Sequence, residues 1–271
     1  MTALPRTYLF VPGDRPERFA KALASGADAV VLDLEDAVAA AGKVAARAAV
    51  ATALAGEAAR LVVRINDRNT PWYADDLAML AALRAPTVML PKTEHAGDIE
   101  SARAACVGIA VLALVETARG VLAAEVLAAT PGVQRLVFGT IDFALDLDLA
   151  GDLASTIGLD HAASRLALAS RAAGIAAPVA GVTTAIDDEA LLLAELARAR
   201  AHGFGAKLCI HPKQISPIHA ALAPSATELA WAERVLAAAD AAGGAAVQLD
   251  GRMVDKPVIE RARRLVARAT H

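Results

Sequence analysis

The stretch VVLDLEDAV, residues 30–38, runs from a buried-type apolar segment directly into three carboxylates. Asp33, Glu35 and Asp36 lie within four residues, where like charges repel each other and burial of a charge is costly. Cations must therefore lie near them, either as a metal ion or as basic side chains. The three acids either perform chemistry or support it.

Two further carboxylates end apolar runs later in the chain. Glu116 ends VLALVE and Asp142 ends RLVFGTID. Two converging carboxylates suit Mg²⁺, which takes one or two protein carboxylates and completes its coordination with water and substrate oxygens. The alternative for Glu116 is a surface acid beside Thr117, a helix cap. Asp146 and Asp148 are less suitable than Asp142, since both lie deeper in the following loop.

Three basic or titratable residues also end apolar runs. Arg64 in VVRIN can hold a carboxylate or an enolate oxygen, or form a structural ion pair with the acids of residues 33–36. Lys92 in LPKTE invites a Schiff-base role, but an electrostatic role or a salt bridge with Glu94 is favoured. His211 in CIHP is either a base or a turn histidine before proline.

Asp255 in GRMVDKPVIERA lies where a helix N-cap belongs, with Pro257 in the first turn. Capping is its simplest role. The functional alternative is a general base carried in by the C-terminal segment, and both stay open.

The elements that must position these residues alternate in type. Continuously apolar, β-branched runs are separated by segments of helical period. Eight such strands, each followed by a helix, predict an α/β fold, a closed (β/α)8 TIM barrel, with a doubly wound open sheet as the alternative. The predicted strands are 7–13, 29–35, 61–66, 87–92, 108–116, 135–142, 178–182 and 206–212. The predicted helices are 15–25, 42–55, 72–83, 97–105, 118–129, 160–173, 187–202 and 225–242, with one opening at Pro212.

The barrel is predicted to span residues 1–223, and residues 224–271 form a short helical appendage that is able to reach a neighbouring subunit. This segment contains an extended piece that ends in Asp250-Gly251, followed by a final helix. In (β/α)8 barrels the active site lies at the carboxyl ends of the strands. The polar residues named above therefore meet at one mouth.

Composition excludes several classes of function. The net charge is -3 and aromatic residues make up 3% of the chain, so nucleic-acid binding is not expected. No uncharged apolar run reaches the ~18 residues of a membrane span, and the N-terminus does not resemble a signal peptide. Cys106 and Cys209 have neither metal-site nor redox spacing, which predicts a reduced, cytoplasmic location. The dinucleotide fingerprint G-x-G-x-x-G is missing after the first strand, so a nicotinamide cofactor is not expected.

Eight motifs together resemble a known family, and they run in order over nearly the whole chain. They are YLFVPGDRPERFAKAL, ADAVVLDLEDAV, VVRIN, MLPKTE, LVET, FGTIDFALDL, GAKLCIHPKQ and DGRMVDKPVIERA. This pattern resembles the citrate lyase beta-subunit-like proteins of the HpcH/HpaI aldolase superfamily, whose relatives include malyl-CoA and citramalyl-CoA lyases. The resemblance implies a Mg²⁺-dependent C–C lyase that acts on 3-hydroxyacyl-CoA thioesters, usually a trimer or a multiple of one.

The resemblance also implies roles for individual residues. Glu116 and Asp142 match the metal-binding carboxylates, and Arg64 matches the arginine that faces the thioester or its enolate. Asp255 matches an acid that enters the neighbouring subunit's site. The loop that matches the region meeting the CoA phosphates supplies Pro12, Gly13 and Arg15, together with Lys21.

With these roles assigned, the acidic residues of the stretch 33–36 are predicted to support the chemistry more than to perform it. Glu35 and Asp36 are expected to form an outer shell that pairs with Arg64 or Lys92 and orders metal-bound water. The predicted activity is cleavage of citryl-CoA, malyl-CoA or citramalyl-CoA to acetyl-CoA and an oxo acid. The alternatives are a malyl-CoA thioesterase on the same site, a pyruvate-type aldolase without CoA, and a non-catalytic acyl-CoA-binding subunit.

Overall fold

The computed structural model describes residues 4–56, 58–150, 157–243 and 246–269. The chain divides into two compact units, one of residues Pro5–Ile218 and a C-terminal one that begins at His219.

Eight parallel strands close into a barrel in sequence order, which confirms the predicted (β/α)8 fold. The last strand pairs with the first, with Thr7 opposite Lys207 and Tyr8 opposite Leu208. The strands are β1 Thr7–Pro12, β2 Ala29–Asp33, β3 Leu61–Arg64, β4 Thr87–Leu90, β5 Ala110–Val115, β6 Val133–Phe138, β7 Val179–Ala180 and β8 Ala206–Cys209.

Helices connect the strands and continue beyond β8 into the C-terminal unit. Short 3₁₀ turns precede α1, α2 and α10. The helices are α1 Phe19–Leu23, α2 Lys43–Gly56, α3 Tyr73–Leu83, α4 Ala96–Ala105, α5 Ala118–Leu122, α6 Ala124–Ala129, α7 Thr140–Asp146, α8 Ile157–Ala172, α9 Glu189–Ala201, α10 Ile215–Leu222, α11 Ala226–Ala241 and α12 Lys256–Ala269.

The predicted strands are too long at their carboxyl ends. The sixth was predicted to reach Asp142, but β6 ends at Phe138 and Asp142 lies in the first turn of α7, a helix that the sequence did not predict. Likewise β2 ends at Asp33, before Glu35. The polar residues that follow each apolar run no longer pair with a neighbouring strand and form the loops at the mouth of the barrel. Apolar periodicity alone does not show where a strand ends and its loop begins.

Alternate strand residues fill the barrel interior. Tyr8, Val31, Met89, Leu112 and Leu208, from five different strands, pack in one buried cluster. Because side chains of a strand alternate between its two faces, the residues between them point outward and lie under the helices. The barrel is therefore a packed core, and its open space lies at the strand ends.

In its described residues, the C-terminal unit contains the end of α10, the helices α11 and α12, and a hairpin. Ser225 and Glu228 form a capping box at the start of α11. β9 Val247–Leu249 and β10 Arg252–Val254 pair antiparallel across Asp250 and Gly251, whose φ angles of 49° and 76° suit a tight hairpin turn. The predicted extended piece ending in Asp-Gly is thus β9. The sequence did not predict β10.

None of the helices in the described ranges is both long and apolar enough to cross a membrane. Both cysteines are free and buried.

Candidate active site

A cavity of about 440 Å³ opens at the carboxyl ends of the barrel strands. Four carboxylates and one guanidinium line it, namely Asp33, Asp36, Glu116, Asp142 and Arg64. Its apolar wall consists of Phe10, Leu114, Ile141, Val182, Leu208 and Ile210. The structure therefore brings together the acids of the second, fifth and sixth β/α units with the arginine of the third.

Arg64, the last residue of β3, is fixed by Asp33, the last residue of β2. Its Nε and Nη2 donate to Oδ1 and Oδ2 of Asp33 at 2.7 and 2.6 Å. Burial alone would lower the pKa of Arg64, but the hydrogen bonds and the charge of Asp33 raise it well above its usual value. The guanidinium also lies 5.0 Å from the ring centre of Phe10. It is thus a fully charged group held in one orientation.

Asp33 also organises the loop that follows it. Its Oδ1 accepts the backbone N–H of Glu35 at 2.9 Å, and its Oδ2 accepts that of Ala37 at 3.2 Å. Only 1% of Asp33 is exposed, so its charge depends on these donors and on Arg64. Both of its oxygens are thus engaged by Arg64 and by the amides of the following loop.

Glu35 lies between Arg64 and Lys92, the two cations that the sequence offered as alternative partners. Its Oε2 is 2.9 Å from Arg64 Nη1, and its Oε1 accepts from Lys92 Nζ at 3.2 Å. Burial nevertheless raises the pKa of Glu35 to about 7, against the opposing charge of Arg64. Asp36 is exposed and 3.7 Å from Arg64 Nη1.

The predicted salt bridge between Lys92 and Glu94 is wrong. Lys92 pairs with Glu35, and Glu94 pairs with Arg119 at 3.3 Å.

Lys43 is a buried residue of this site that the sequence did not reveal. It is the first residue of α2, where a lysine usually faces solvent, and no signal in the sequence marks it as buried. Its Nζ donates to the carbonyls of Leu34 and Glu35 at 2.6 and 2.7 Å and lies 5.1 Å from the centre of the Trp72 ring. Burial lowers its pKa. Lys43 thus fixes the backbone that carries Glu35.

Glu116 follows β5 directly and is 3% exposed. Its Oε1 accepts the backbone N–H of Lys92 at 2.8 Å, a donor oriented by the left-handed φ of 45° at that lysine. Burial raises the pKa of Glu116 to about 8, and the negative charges of Glu35 and Asp142 add to this effect. A carboxylate in these surroundings is poised to bind a cation.

Gly139 is the residue that leaves space for Glu116. A Cβ at position 139 would lie 2.6 Å from both Cβ and Oε2 of Glu116. The glycine stands in the FGTID motif, but its close approach to Glu116 was not predictable without the packing of β6 against β5.

Glu116 and partly exposed Asp142 are the residues that could hold a metal ion. No group of three or more His, Cys, Asp or Glu side chains suited to a metal occurs within the described ranges. Two carboxylates suffice for Mg²⁺, which keeps water and substrate oxygens in its coordination sphere. The raised pKa of Glu116 fits such a site, because a bound cation would replace the missing solvation.

The loop after β1 contacts the site through its backbone. Gly13 N–H donates to the carbonyl of Asp33 at 2.7 Å, and a Cβ there would lie 2.8 Å from the same oxygen. Pro12 accepts the N–H of Arg15 at 3.0 Å. The side chains of Arg15 and of Lys21 on α1 are exposed. Their predicted role with CoA phosphates stays a prediction.

Two other candidates cap helical turns. His211 Nδ1 accepts the N–H of Lys213 at 3.2 Å, and Gln214 completes a capping box there. In the C-terminal unit, Asp255 precedes α12 and its Oδ1 accepts the N–H of Val258 at 3.4 Å. A capping role is thus present for both, and the proton-transfer role of Asp255 stays a prediction.

Comparison with known proteins agrees with the barrel fold. Residues 6–212 match the family described as HpcH/HpaI aldolase/citrate lyase, and residues 163–271 match a family described as a C–C bond lyase of the TIM-barrel fold. A citrate lyase subunit beta-like protein of Mycobacterium tuberculosis is 44% identical, over 97% of this chain and 94% of that protein. A (3S)-malyl-CoA thioesterase of Cereibacter sphaeroides is 35% identical, again over 97% and 94%.

Solved structures show the same likeness. The crystal structure of CitE from Mycobacterium tuberculosis in complex with magnesium, acetoacetate and coenzyme A has a TM-score of 0.89. It is 40% identical and covers 99% of each chain. The chain therefore belongs to the HpcH/HpaI aldolase/citrate lyase family.

Proposed function

We propose that this protein is a Mg²⁺-dependent lyase that cleaves a 3-hydroxyacyl-CoA thioester of the citryl-, malyl- or citramalyl-CoA type to acetyl-CoA and an oxo acid. The observation that carries the proposal is the meeting of Glu116, Asp142 and Arg64 at one cavity. The magnesium and coenzyme A bound to the 40% identical CitE support it.

Glu116 and Asp142 are the residues that would hold the ion. When bound there, Mg²⁺ supplies Lewis-acid stabilisation of the oxygen that becomes the oxo group of the product. Because Mg²⁺ takes only one or two protein carboxylates, these two residues would leave room for water and for the hydroxyl and carboxylate of the substrate. Glu35 and Asp36 would form an outer shell beside this site and order the metal-bound water.

Arg64 would hold the thioester oxygen as it becomes an enolate oxygen. Asp33 binds one edge of the guanidinium, and the charge is already in place before the reaction begins. A preoriented cation stabilises developing negative charge without reorganisation in the transition state. The proton that the substrate hydroxyl loses when the C–C bond breaks ends on the acetyl carbon of the product. Asp255, carried by the C-terminal segment into the site of a neighbouring subunit, would transfer that proton. This role calls for a homo-oligomer, a trimer or a multiple of one.

Hydrolysis of a malyl-CoA thioester is the second candidate. The relatives named (3S)-malyl-CoA thioesterase favour it. A non-catalytic acyl-CoA-binding subunit is the third candidate, but binding alone gives no reason to bury Glu116 beside Asp142. For each of these three candidate functions we propose a cytoplasmic location, on the basis of the two free cysteines.

A thioester panel tests these proposals. The protein is incubated with Mg²⁺ and citryl-, malyl- or citramalyl-CoA, and acetyl-CoA, free CoA and the oxo acid are measured. Acetyl-CoA with an oxo acid supports the lyase, and free CoA with an intact hydroxy acid supports the thioesterase. The test variant is Glu116→Gln, which should abolish turnover. The matched control is Asp148→Asn, in the exposed loop after α7, which should leave turnover unchanged. No product from any thioester, with unchanged Mg²⁺ binding in Glu116→Gln, would overturn both activities.

A further inference from the structure

A second cavity lies outside the barrel, between β7 and the helices α8 and α9. Its volume is about 140 Å³. Val179, Ala206 and Leu208 fill the barrel interior, so the alternating residues Ala180 and Lys207 point outward to this cavity. The cavity lies between the barrel sheet and the surrounding helices, a region that is close-packed in most proteins.

The wall of the second cavity is mainly apolar. It contains Phe138, Leu159, Ala163, Val182, Leu191 and Phe204. Thr184, which is exposed, also lines it and places one side of the cavity at the protein surface. The cavity therefore extends to a residue at the protein surface.

Lys207 supplies one polar group at the end of this cavity. The lysine is 2% exposed, and its Nζ donates to the carbonyl of Gly181 at 2.8 Å and lies 3.6 Å from Glu195 Oε2. An ammonium group has three donors, and these two partners leave one N–H for an acceptor in the cavity. Burial lowers the pKa of Lys207, against the charge of Glu195.

The charges around the cavity compensate one another. Glu195 offsets Lys207, and Asp160 accepts from Arg198 Nε and from His202 Nε2, both at 2.8 Å. A charged ligand would disturb this balance, whereas a neutral molecule with one acceptor oxygen would not. A dry cavity of about 150 Å³ holds a benzene molecule, so the space suits about six or seven non-hydrogen atoms.

We propose that this cavity is a binding site for a small neutral molecule that has a compact apolar body and one carbonyl-type oxygen. The oxygen accepts from Lys207 Nζ, and the body packs on Leu159, Leu191 and Phe204. Thr140, Gly181 and Val182 line both this cavity and the active-site cavity, so an occupant touches a wall that the two share. The binding itself does not depend on the proposed lyase activity.

Cyclohexanone is a suitable probe, with methylenecyclohexane as the analogue of the same shape that lacks the oxygen. Binding is measured by saturation-transfer NMR titration of the full chain and by soaking crystals. We expect cyclohexanone to bind in the cavity, and methylenecyclohexane to bind about two- to tenfold more weakly because one hydrogen bond is lost.

Two variants on α9 complete the test. Ala199 lines the cavity, whereas Ala197 is exposed on the same helix. Ala199→Met fills the space and should weaken cyclohexanone binding more than about tenfold, and Ala197→Met should leave it unchanged; the threshold corresponds to about 1.4 kcal/mol. Equal binding by the two variants, equal affinity for the two probes, or only ordered water in the soaked crystals would overturn the proposal.

Discussion

Asp33 and Arg64 form a bidentate ion pair at the ends of two neighbouring strands. The two side chains meet through Nε–Oδ1 and Nη2–Oδ2 contacts of 2.7 and 2.6 Å, and Cα register pairs the same two residues across β2 and β3. The backbone ladder thus aligns the partners before the side chains meet. This relationship assigns to Asp33, the first acid of its stretch, the orientation of the arginine.

Asp33→Asn should be strongly destabilising, because it leaves the Arg64 cation buried without its full partner. Breaking a buried pair costs about 3–5 kcal/mol. Asp36→Asn is the matched control, since Asp36 is exposed and its contact with Arg64 is worth less than about 1 kcal/mol. Urea unfolding measures both. Equal free energies of unfolding for the two variants would contradict the role assigned to Asp33.

Lys43→Met should loosen the backbone that carries Glu35. Two charged hydrogen bonds to carbonyls are lost, and the free energy of unfolding should fall by about 1–3 kcal/mol. Lys256→Met, at an exposed position on α12, is the control. Hydrogen exchange of the Leu34–Val38 amides should rise in Lys43→Met alone. Unchanged protection there would show that the lysine does not hold this loop.

The metal-free protein should lose stability as the pH rises through the range of its two buried acids. The pKa values of Glu35 and Glu116 are raised to about 7 and about 8, so the folded state binds more protons than the unfolded state. Their stabilising contribution is complete below their ordinary value of 4.5 and is lost as the pH rises through 7 and 8. Mg²⁺ should restore stability on the alkaline side.

Urea unfolding from about pH 6 to about pH 9, with EDTA or with Mg²⁺, measures this effect. Glu116→Gln should flatten the part of the EDTA curve near pH 8, and it should remove most of the gain from Mg²⁺. A metal-free protein that becomes more stable over the same interval would show that these acids are not held protonated.

Gly139→Ala should disturb Glu116 specifically. The added methyl group would fall 2.6 Å from Cβ and Oε2 of that side chain, so the carboxylate must move. We expect Mg²⁺ affinity to fall at least about tenfold, which corresponds to about 1.4 kcal/mol. Gly97→Ala on α4 is the control, because nothing lies within 4 Å of the added atom. Calorimetric titration with Mg²⁺ compares the two, and equal affinities would place the ion elsewhere.

The sequence was sufficient for the barrel because its strands are continuously apolar and its helices amphipathic. It was also sufficient to place a cation, Arg64 or Lys92, beside Glu35, since the ends of neighbouring parallel strands must meet. It was not sufficient where contacts depend on loops. Lys43 resembles a surface lysine in the sequence, and Lys92 has a closer acid, Glu94, than the one it contacts.

The helix that contains Asp142 shows the same limit. Periodicity in RLVFGTID continues through Gly139, but the chain leaves the strand there and turns into α7. Asp142 lies at the predicted cavity although the sequence placed it in a strand and the structure places it in a helix. Both the end of β6 and the first turn of α7 lie at the mouth of the barrel.

Asp255→Asn separates the two roles of Asp255. Asparagine caps helices about as well as aspartate, so the free energy of unfolding should change by less than about 0.5 kcal/mol. An amide cannot transfer the proton, and general acid–base catalysis contributes about 10²- to 10⁴-fold, so kcat should fall by that order while Mg²⁺ affinity stays unchanged. Asp255→Ala removes the cap as well and should cost about 1 kcal/mol in addition. Full turnover by Asp255→Asn would restrict the residue to capping α12 and assign the proton to another group.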